Sequence, residues 1–203
     1  MSNKGKAIYD QWDKAIKERD TAALFQLLSQ YPKLVNQGII HYRGNGTTFQ
    51  TLPLNMVNDT LAIAKLLLEH GANPNAYGDG NVLALHNATP EVTRYLIAQG
   101  AEVNLIGYED FSPLMYEVYM ENHENVETLI QHGAEVNFQK AHDGYTCLHW
   151  AARKGYLAIA KLLLQHGAKL GALNKENQTA RDLAIENGHS SVAEYLEEKT
   201  KEV

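Results

Sequence analysis

Apolar residues along this chain fall in short runs of helical spacing, and one such run returns four times. Leu66-Leu67-Leu68-Glu69-His70-Gly71-Ala72, Leu96-Ile97-Ala98-Gln99-Gly100-Ala101, Leu129-Ile130-Gln131-His132-Gly133-Ala134 and Leu162-Leu163-Leu164-Gln165-His166-Gly167-Ala168 each close an amphipathic segment with Gly-Ala. Self-similarity of this kind marks a repeat architecture. The glycines stand at 71, 100, 133 and 167, spaced by 29, 33 and 34 residues. Each falls where a helix needs a left-handed residue to end it, so alanine there is predicted to cost about 1 kcal/mol. After three of them a polar turn leads away from the helix: Asn73-Pro74-Asn75, Glu102-Val103-Asn104 and Glu135-Val136-Asn137.

A shorter helical segment precedes each of these runs. The clearest is Thr146-Cys147-Leu148-His149-Trp150-Ala151-Ala152-Arg153-Lys154-Gly155-Tyr156, followed by Leu157-Ala158-Ile159-Ala160-Lys161-Leu162-Leu163-Leu164. This strongly resembles the ankyrin repeat: T-P-L-H-x-A-A, a glycine turn, then a Leu-rich helix closed by Gly-Ala. Ser112-Pro113-Leu114-Met115 opens the preceding copy, Thr179-Ala180-Arg181-Asp182-Leu183-Ala184 the last, and Gln50-Thr51-Leu52-Pro53-Leu54 a degenerate early one. The first unit keeps only a helix pair, its second helix running through Asp20–Leu28 and stopped at Tyr31-Pro32. In the third, Leu83-Ala84-Leu85-His86-Asn87-Ala88 meets Thr89-Pro90-Glu91 about four residues early, near the 3.6 of one helical turn. The expected result is a shortened first helix and a local bend at 83–92.

The resemblance implies an all-α fold, an ankyrin-repeat α-solenoid of helix-turn-helix units with short β-hairpin-like loops. One domain over 1–203 is expected, with units at approximately 4–36, 47–76, 79–104, 109–137, 143–171 and 176–200. A pair of about 33 residues cannot bury its apolar face alone, so neighbours must stack. Charged ends (Lys4, Lys6, Asp10, Asp13, Lys14 and Lys17; Glu194, Glu197, Glu198, Lys199, Lys201 and Glu202) read as finished ends of a complete protein. By the same resemblance His149 is a structural histidine bonding between neighbouring loops, and His86 is its counterpart.

The chemistry of the chain points away from catalysis. Its 203 residues carry 18 basic and 24 acidic side chains, a net charge of −6, which disfavours nucleic-acid binding. No run reaches the roughly 20 apolar residues of a membrane span, and no apolar run follows the basic start, so a cytoplasmic location is expected. The lone Cys147 makes neither an internal disulfide nor a multi-cysteine zinc site. His70, His132 and His166 recur at helix ends, in units whose packed helices lie roughly 8–10 Å apart, too far to converge on one ion. They read as residues facing the helix C-terminal dipole. His123-Glu124-Asn125-Val126-Glu127 lacks the second histidine of a zinc helix. Gly44, Gly46, Gly78 and Gly80 form no phosphate loop and read as hairpin turns. Cys147 and His149, two residues apart, do not converge as nucleophile and base. No catalytic residue, metal or cofactor is expected.

Two features rise above this background. The first hundred residues carry nine basic and eight acidic groups, the remainder nine and sixteen. The excess gathers on the fourth unit, where Ala101–Gln139 has no Lys or Arg but contains Glu102, Glu109, Asp110, Glu117, Glu121, Glu124, Glu127 and Glu135. A one-signed patch speeds association with basic partners. Aromatic residues collect at positions the resemblance assigns to hairpin tips and exposed first-helix faces. The predicted contact set is Tyr77, Tyr108, Glu109, Phe111, Glu117, Tyr119, Met120, Glu121, His142, Tyr145, Arg153 and Lys154, with Phe49 and Phe138 nearby. The long loop Gln37–Gly46, carrying Ile39, Ile40 and Tyr42, is either a hydrophobic clasp or an extra contact finger. The expected function is a non-catalytic protein-interaction module, monomeric by itself, that binds a basic or mixed segment of another protein and neither nucleic acid nor membrane. Two alternatives remain: an inhibitor or immunity protein blocking a toxin or nuclease, and an enzyme with a pocket around His86, Asn87 and Tyr108.

Overall fold

In the computed structural model the described residues are 3–42, 48–57, 59–86 and 88–202, without the side chains of 3–6, 39–42 and 48–51. Two compact units divide the chain, Met1–Glu102 and Val103–Val203.

The first unit opens with α1 (Asn3–Lys17) and α2 (Thr21–Gln30), followed by a 3-10 turn over Pro32–Asn36. The Asp20 carboxylate caps α2 by accepting from the Ala23 N–H at 2.9 Å, as a short acidic side chain does at a helix start. An antiparallel hairpin follows, β1 (Ile39–Tyr42) and β2 (Thr48–Thr51), with Ile39 opposite Thr51 and Tyr42 opposite Thr48. Gly44, Gly46 and the side chains of Ile39, Ile40, Tyr42 and Phe49 lie outside what is described. Next come the four-residue α3 (Pro53–Met56), α4 (Leu61–Glu69), a 3-10 turn at Asp79–Asn81 and α5 (Pro90–Ala98). Trp12, Leu24, Leu28, Ile63, Leu67, Leu85 and Leu96 fill one core under these helices.

The shortened first helix of the third repeat is reduced further than expected. Residues 83–86 make a turn in which His86 N–H meets Leu83 O at 3.0 Å, and α5 begins at Pro90. Proline disfavours helical backbone in the residue before it, and Thr89 is accordingly extended (φ −69°, ψ 155°) and serves as the N-cap. With so few residues before that barrier, no helix develops.

The second unit contains a 3-10 turn at Tyr108–Asp110, then α6 (Pro113–Tyr119), α7 (His123–Gln131), α8 (Cys147–Lys154), α9 (Leu157–Gln165), α10 (Ala180–Glu186) and α11 (Ser190–Lys201). First helices pack on first helices, α6 on α8 and α8 on α10; second helices do likewise, α7 on α9 and α9 on α11. Two layers result, with Leu114, Val126, Leu129, Leu148, Ile159, Leu163, Leu183 and Leu196 between them. Fully buried Ala151, Ala152 and Ala184 let the first-helix layer close tightly.

Local chemistry explains how each second helix ends. Gly71, Gly100, Gly133 and Gly167 are all left-handed, with φ from +83° to +91°. The alanine after each donates its N–H back across the helix end, at 2.9 Å for Ala72 to Leu67 O and for Ala168 to Leu163 O. His70 and His132 add a bond from Nδ1–H to the carbonyl four residues earlier, both at 2.8 Å. Each of these carbonyls also accepts the histidine's own backbone N–H at 3.2 Å, so the imidazole supplies its second bond in the last turn.

An asparagine then fastens each repeat to the next. Asn36 donates to Gly71 O at 2.8 Å and accepts from Asn73 N–H at 2.9 Å. Asn75 does the same with Gly100 and Glu102, Asn104 with Gly133 and Glu135, and Asn137 with Gly167 and Lys169. One amide side chain so satisfies one donor and one acceptor about a repeat away.

Candidate functional site

In the second unit the first helices and their preceding hairpins assemble a continuous aromatic cluster. Helix α6 contributes Tyr119, α8 contributes Trp150, and the residues just before their N-caps contribute Phe111 and Tyr145. Ring centroids lie 5.1 Å apart for Tyr119–Trp150, 5.2 Å for Tyr145–Trp150, and 5.6 Å for both Phe111–Tyr119 and Phe111–Trp150. All four contacts are edge-to-face, the arrangement favoured by ring quadrupoles. Tyr108 and Tyr116 form a separate pair at 6.2 Å.

Cations lean over these rings. Lys154 Nζ is 4.5 Å from the Tyr119 centroid, Lys140 Nζ 4.6 Å from Phe111, and the Arg153 guanidinium 5.5 Å from Trp150 and 5.8 Å from Tyr145. Lys140 also pairs with Asp143 at 3.6 Å. Among the described residues, no carboxylate lies within ion-pair distance of Arg153 or Lys154.

Below the rings, His149 ties α8 to the next hairpin. Thr146 N–H donates to His149 Nδ1 at 3.2 Å, which makes Nδ1 the bare nitrogen; Nε2–H donates to Gln178 O at 3.1 Å. Thr146 and His149 together form a capping box at the start of α8. Burial pushes the imidazole pKa below its ordinary value, with the bond to the Gln178 carbonyl opposing that shift. The loop-bridging role expected of His149 is therefore present. His86 is buried too, and its Nδ1 accepts from Leu83 N–H at 3.3 Å.

Nine of the twelve predicted contact residues are exposed: Tyr77, Tyr108, Glu109, Tyr119, Met120, Glu121, His142, Arg153 and Lys154. Tyr77 belongs to the first unit, the other eight to the second. Phe111, Glu117 and Tyr145 do not reach the surface as expected; they are 3%, 0% and 8% exposed. Phe111 and Tyr145 each precede an N-cap, where an apolar side chain folds down as a staple, and Tyr145 packs on Trp150, four residues beyond the cap. Glu117 occupies the inward slot that Ala151 fills in the next copy. The acidic ridge correspondingly loses its centre. Its exposed members lie on the hairpin (Glu109, Asp110), the turn after α6 (Glu121), helix α7 (Glu124, Glu127) and the flanking loops (Glu102, Glu135). Sequence reasoning omitted Trp150 and Lys140. Trp150 had a usable signal, since the residue after His in T-x-L-H-x-A-A must point away from the alanine face.

Other chemistry can be placed as well. Cys147 is fully buried and its thiol is pushed up to about 12, so it stays protonated at neutral pH. Among the described residues no three His, Cys, Asp or Glu side chains gather where they could hold a metal ion. No helix among them is long and apolar enough to cross a membrane. Asn87, part of the pocket alternative, lies outside the described residues.

Comparison with known proteins agrees with this architecture. The family description "Ankyrin repeats (3 copies)" matches residues 56–140 and 114–203. The chain belongs to the ankyrin-repeat family. Ankyrin repeats bind other proteins and are generally non-catalytic. A putative ankyrin repeat protein of Acanthamoeba polyphaga mimivirus is 29% identical over 157 residues, 75% of this chain and 20% of the viral protein. A probable E3 ubiquitin-protein ligase of Oryza sativa is 41% identical over 106 residues, 51% of this chain and 21% of the ligase. This ankyrin chain thus spans about a fifth of either relative. Cyclin-dependent kinase 4 inhibitor B of Rattus norvegicus is 32% identical over 110 residues, 54% of this chain and 84% of the inhibitor.

Proposed function

We propose that the chain is a non-catalytic docking module that takes a segment of mixed charge from another protein on the α6–α8 face and its hairpins. The supporting observation is the cluster itself. Tyr119, 36% exposed, packs on Trp150 on the outward side of a layer whose inward side is already packed, and Met120, 49% exposed, follows it at the C-cap of α6. Aromatic rings and methionine are enriched at interface centres, where they exchange water for a partner. Basic groups of the partner suit Glu109, Asp110 and Glu121; acidic ones suit Arg153 and Lys154.

The test is affinity capture with mass identification, comparing the native chain with Tyr119→Ala/Met120→Ala. Both side chains are exposed, so circular dichroism should be unchanged while the captured partner is lost, each anchor contributing about 1 kcal/mol or more. Capture of the same proteins at the same yield would remove the surface assignment. A dedicated inhibitor is the second reading, favoured by the rat relative, whose name makes that protein an inhibitor of a kinase. It predicts one partner held very tightly, against several held weakly.

A further inference from the structure

We infer that the α6–α8 face receives an acidic segment of its partner, with a carboxylate seated at Arg153 and Lys154 and an apolar neighbour lying on Tyr119 and Trp150. This rests on the docking surface proposed above and adds the chemistry of what docks there. Three observations carry it.

The ring faces are already occupied. Tyr119, Phe111 and Trp150 each have a cation of this chain 4.5–5.5 Å from the centroid, so the cluster is not an open cage awaiting a partner's ammonium group. What it presents outward is positive charge on an aromatic floor.

Among the described residues, neither Arg153 nor Lys154 is in ion-pair contact with a carboxylate. In the same unit Lys140, Arg181, Lys199 and Lys201 lie 2.7–3.6 Å from an Asp or Glu oxygen. Arg153 and Lys154 are exposed and, among the described residues, have no such neighbour within 4 Å, although the unit as a whole is acidic. Held over rings, both are oriented before any partner arrives, which lowers the entropy lost on binding.

The acidic residues of the fourth repeat are segregated. Helix α8 has no carboxylate, the single one on α6 (Glu117) is buried, and Glu124 and Glu127 belong to α7 in the other layer. Glu109 and Asp110 remain on the hairpin before α6, and Glu121 follows α6 beside Gly155 and Tyr156, so an acidic stretch is repelled at the hairpin and drawn to the Arg153 and Lys154 cations, on the side of them away from Glu121. That fixes the direction in which a mixed segment lies.

The test pans a phage-displayed library of random peptides, about a dozen residues long, on the full chain. Enriched peptides are then synthesised with a fluorescent label and titrated by anisotropy. Enrichment of Asp or Glu beside an aromatic or aliphatic residue is expected. Arg153→Gln/Lys154→Gln should weaken such a peptide on the order of tenfold. Replacing the peptide's own carboxylate by its amide should cause the same loss, and no further loss in the double variant. Enrichment of Lys- or Arg-rich peptides, or acidic peptides that bind the double variant unchanged, overturns the inference. Peptides sensitive to Tyr119→Ala/Met120→Ala but not to the glutamine pair remove only the carboxylate seat; peptides indifferent to both remove the docking face. A labelled oligothymidylate binding more tightly than the best peptide would make the face a nucleic-acid site and also overturn it.

Discussion

Two glycines in the second unit share one backbone conformation but differ in what surrounds them, so alanine at each separates strain from close approach. Gly167 has φ +83° and no atom within 4 Å of where a Cβ would stand. Gly144 has φ +75°, and a Cβ there would lie 2.9 Å from Lys175 N and 3.2 Å from the Cα and carbonyl carbon of Asn174. Alanine at 167 carries only the left-handed penalty, about 1 kcal/mol. Alanine at 144 carries the same penalty and also drives two backbones apart. The hairpin contacts at risk are Lys175 N–H to Asp143 O at 2.9 Å, and Gln139 Nε2 to Gly144 O at 2.9 Å and to Leu173 O at 2.7 Å. Losing about two of these three, at about 1 kcal/mol each, brings Gly144→Ala to about 3 kcal/mol. Urea unfolding followed by far-ultraviolet circular dichroism compares the variants directly, since both substitutions lie in one compact unit. Gly144→Ala should be the less stable by about 2 kcal/mol. Equal midpoints would refute the reasoning, because they would mean that the 139–145 and 173–178 hairpins are not in close contact.

Asn137→Ala removes both bonds of a clamp, to Gly167 O and from Lys169 N–H, each 2.9 Å. The site is exposed and water can substitute in part, so a loss of about 1–2 kcal/mol is expected, with faster hydrogen exchange at the Lys169 amide; unchanged exchange would contradict the clamp. His149 has a folded pKa below its ordinary 6.5, so its contribution to stability is present above pH 6.5 and is lost as pH falls toward the folded value. The stability gap between the native chain and His149→Gln should therefore narrow between pH 7.5 and pH 5, and a constant gap would show that the imidazole does not titrate differently on folding. Glu109 holds φ +48° where the matching residue of the previous hairpin is Gly80, at φ +66°. Glu109→Gly should raise stability by up to about 1 kcal/mol, less the entropy glycine adds to the unfolded chain, and a lowered urea midpoint would deny the strain.

Features decided within one helical turn were legible in the sequence. The glycine closures, the stop at Tyr31-Pro32 and the helix starts at Pro90 and Pro113 all depend on neighbouring residues, and each stands where the pattern put it. The asparagine clamps were invisible because their partners lie about thirty residues away. Only the recurrence of Asn two residues beyond Glu102 and Glu135, and at Asn75, hinted that this position had a use. Phe111 and Tyr145 were read as tip residues because the pattern places them outside the helix without telling which way the hairpin folds. The aromatic cluster was half visible: Phe111, Tyr119 and Tyr145 were named but Trp150 was not, and its order, rings beneath and cations above, comes from the packing of α6 on α8.

The repeats of this chain serve as their own control for separating structure from function. Helices α6 and α8 start from matching caps, Ser112 and Thr146, and lie side by side in one layer, so matching positions face the same packing demands. Two inward slots agree in kind, Leu114 with Leu148 and Val118 with Ala152, all buried, while Glu117 stands against Ala151 and Met115 against His149, both pairs buried as well. The exposed outward slots do not keep even the class of side chain: Tyr119 stands against Arg153 and Met120 against Lys154. A position that accepts tyrosine in one copy and arginine in the next is not constrained by the fold, and a large apolar side chain left facing water gains nothing from folding. What holds those side chains in place is contact with one another, ring on ring and cation on ring, across the two copies. The fold therefore fixes the spacing of this face, and its composition is free to be set by a partner.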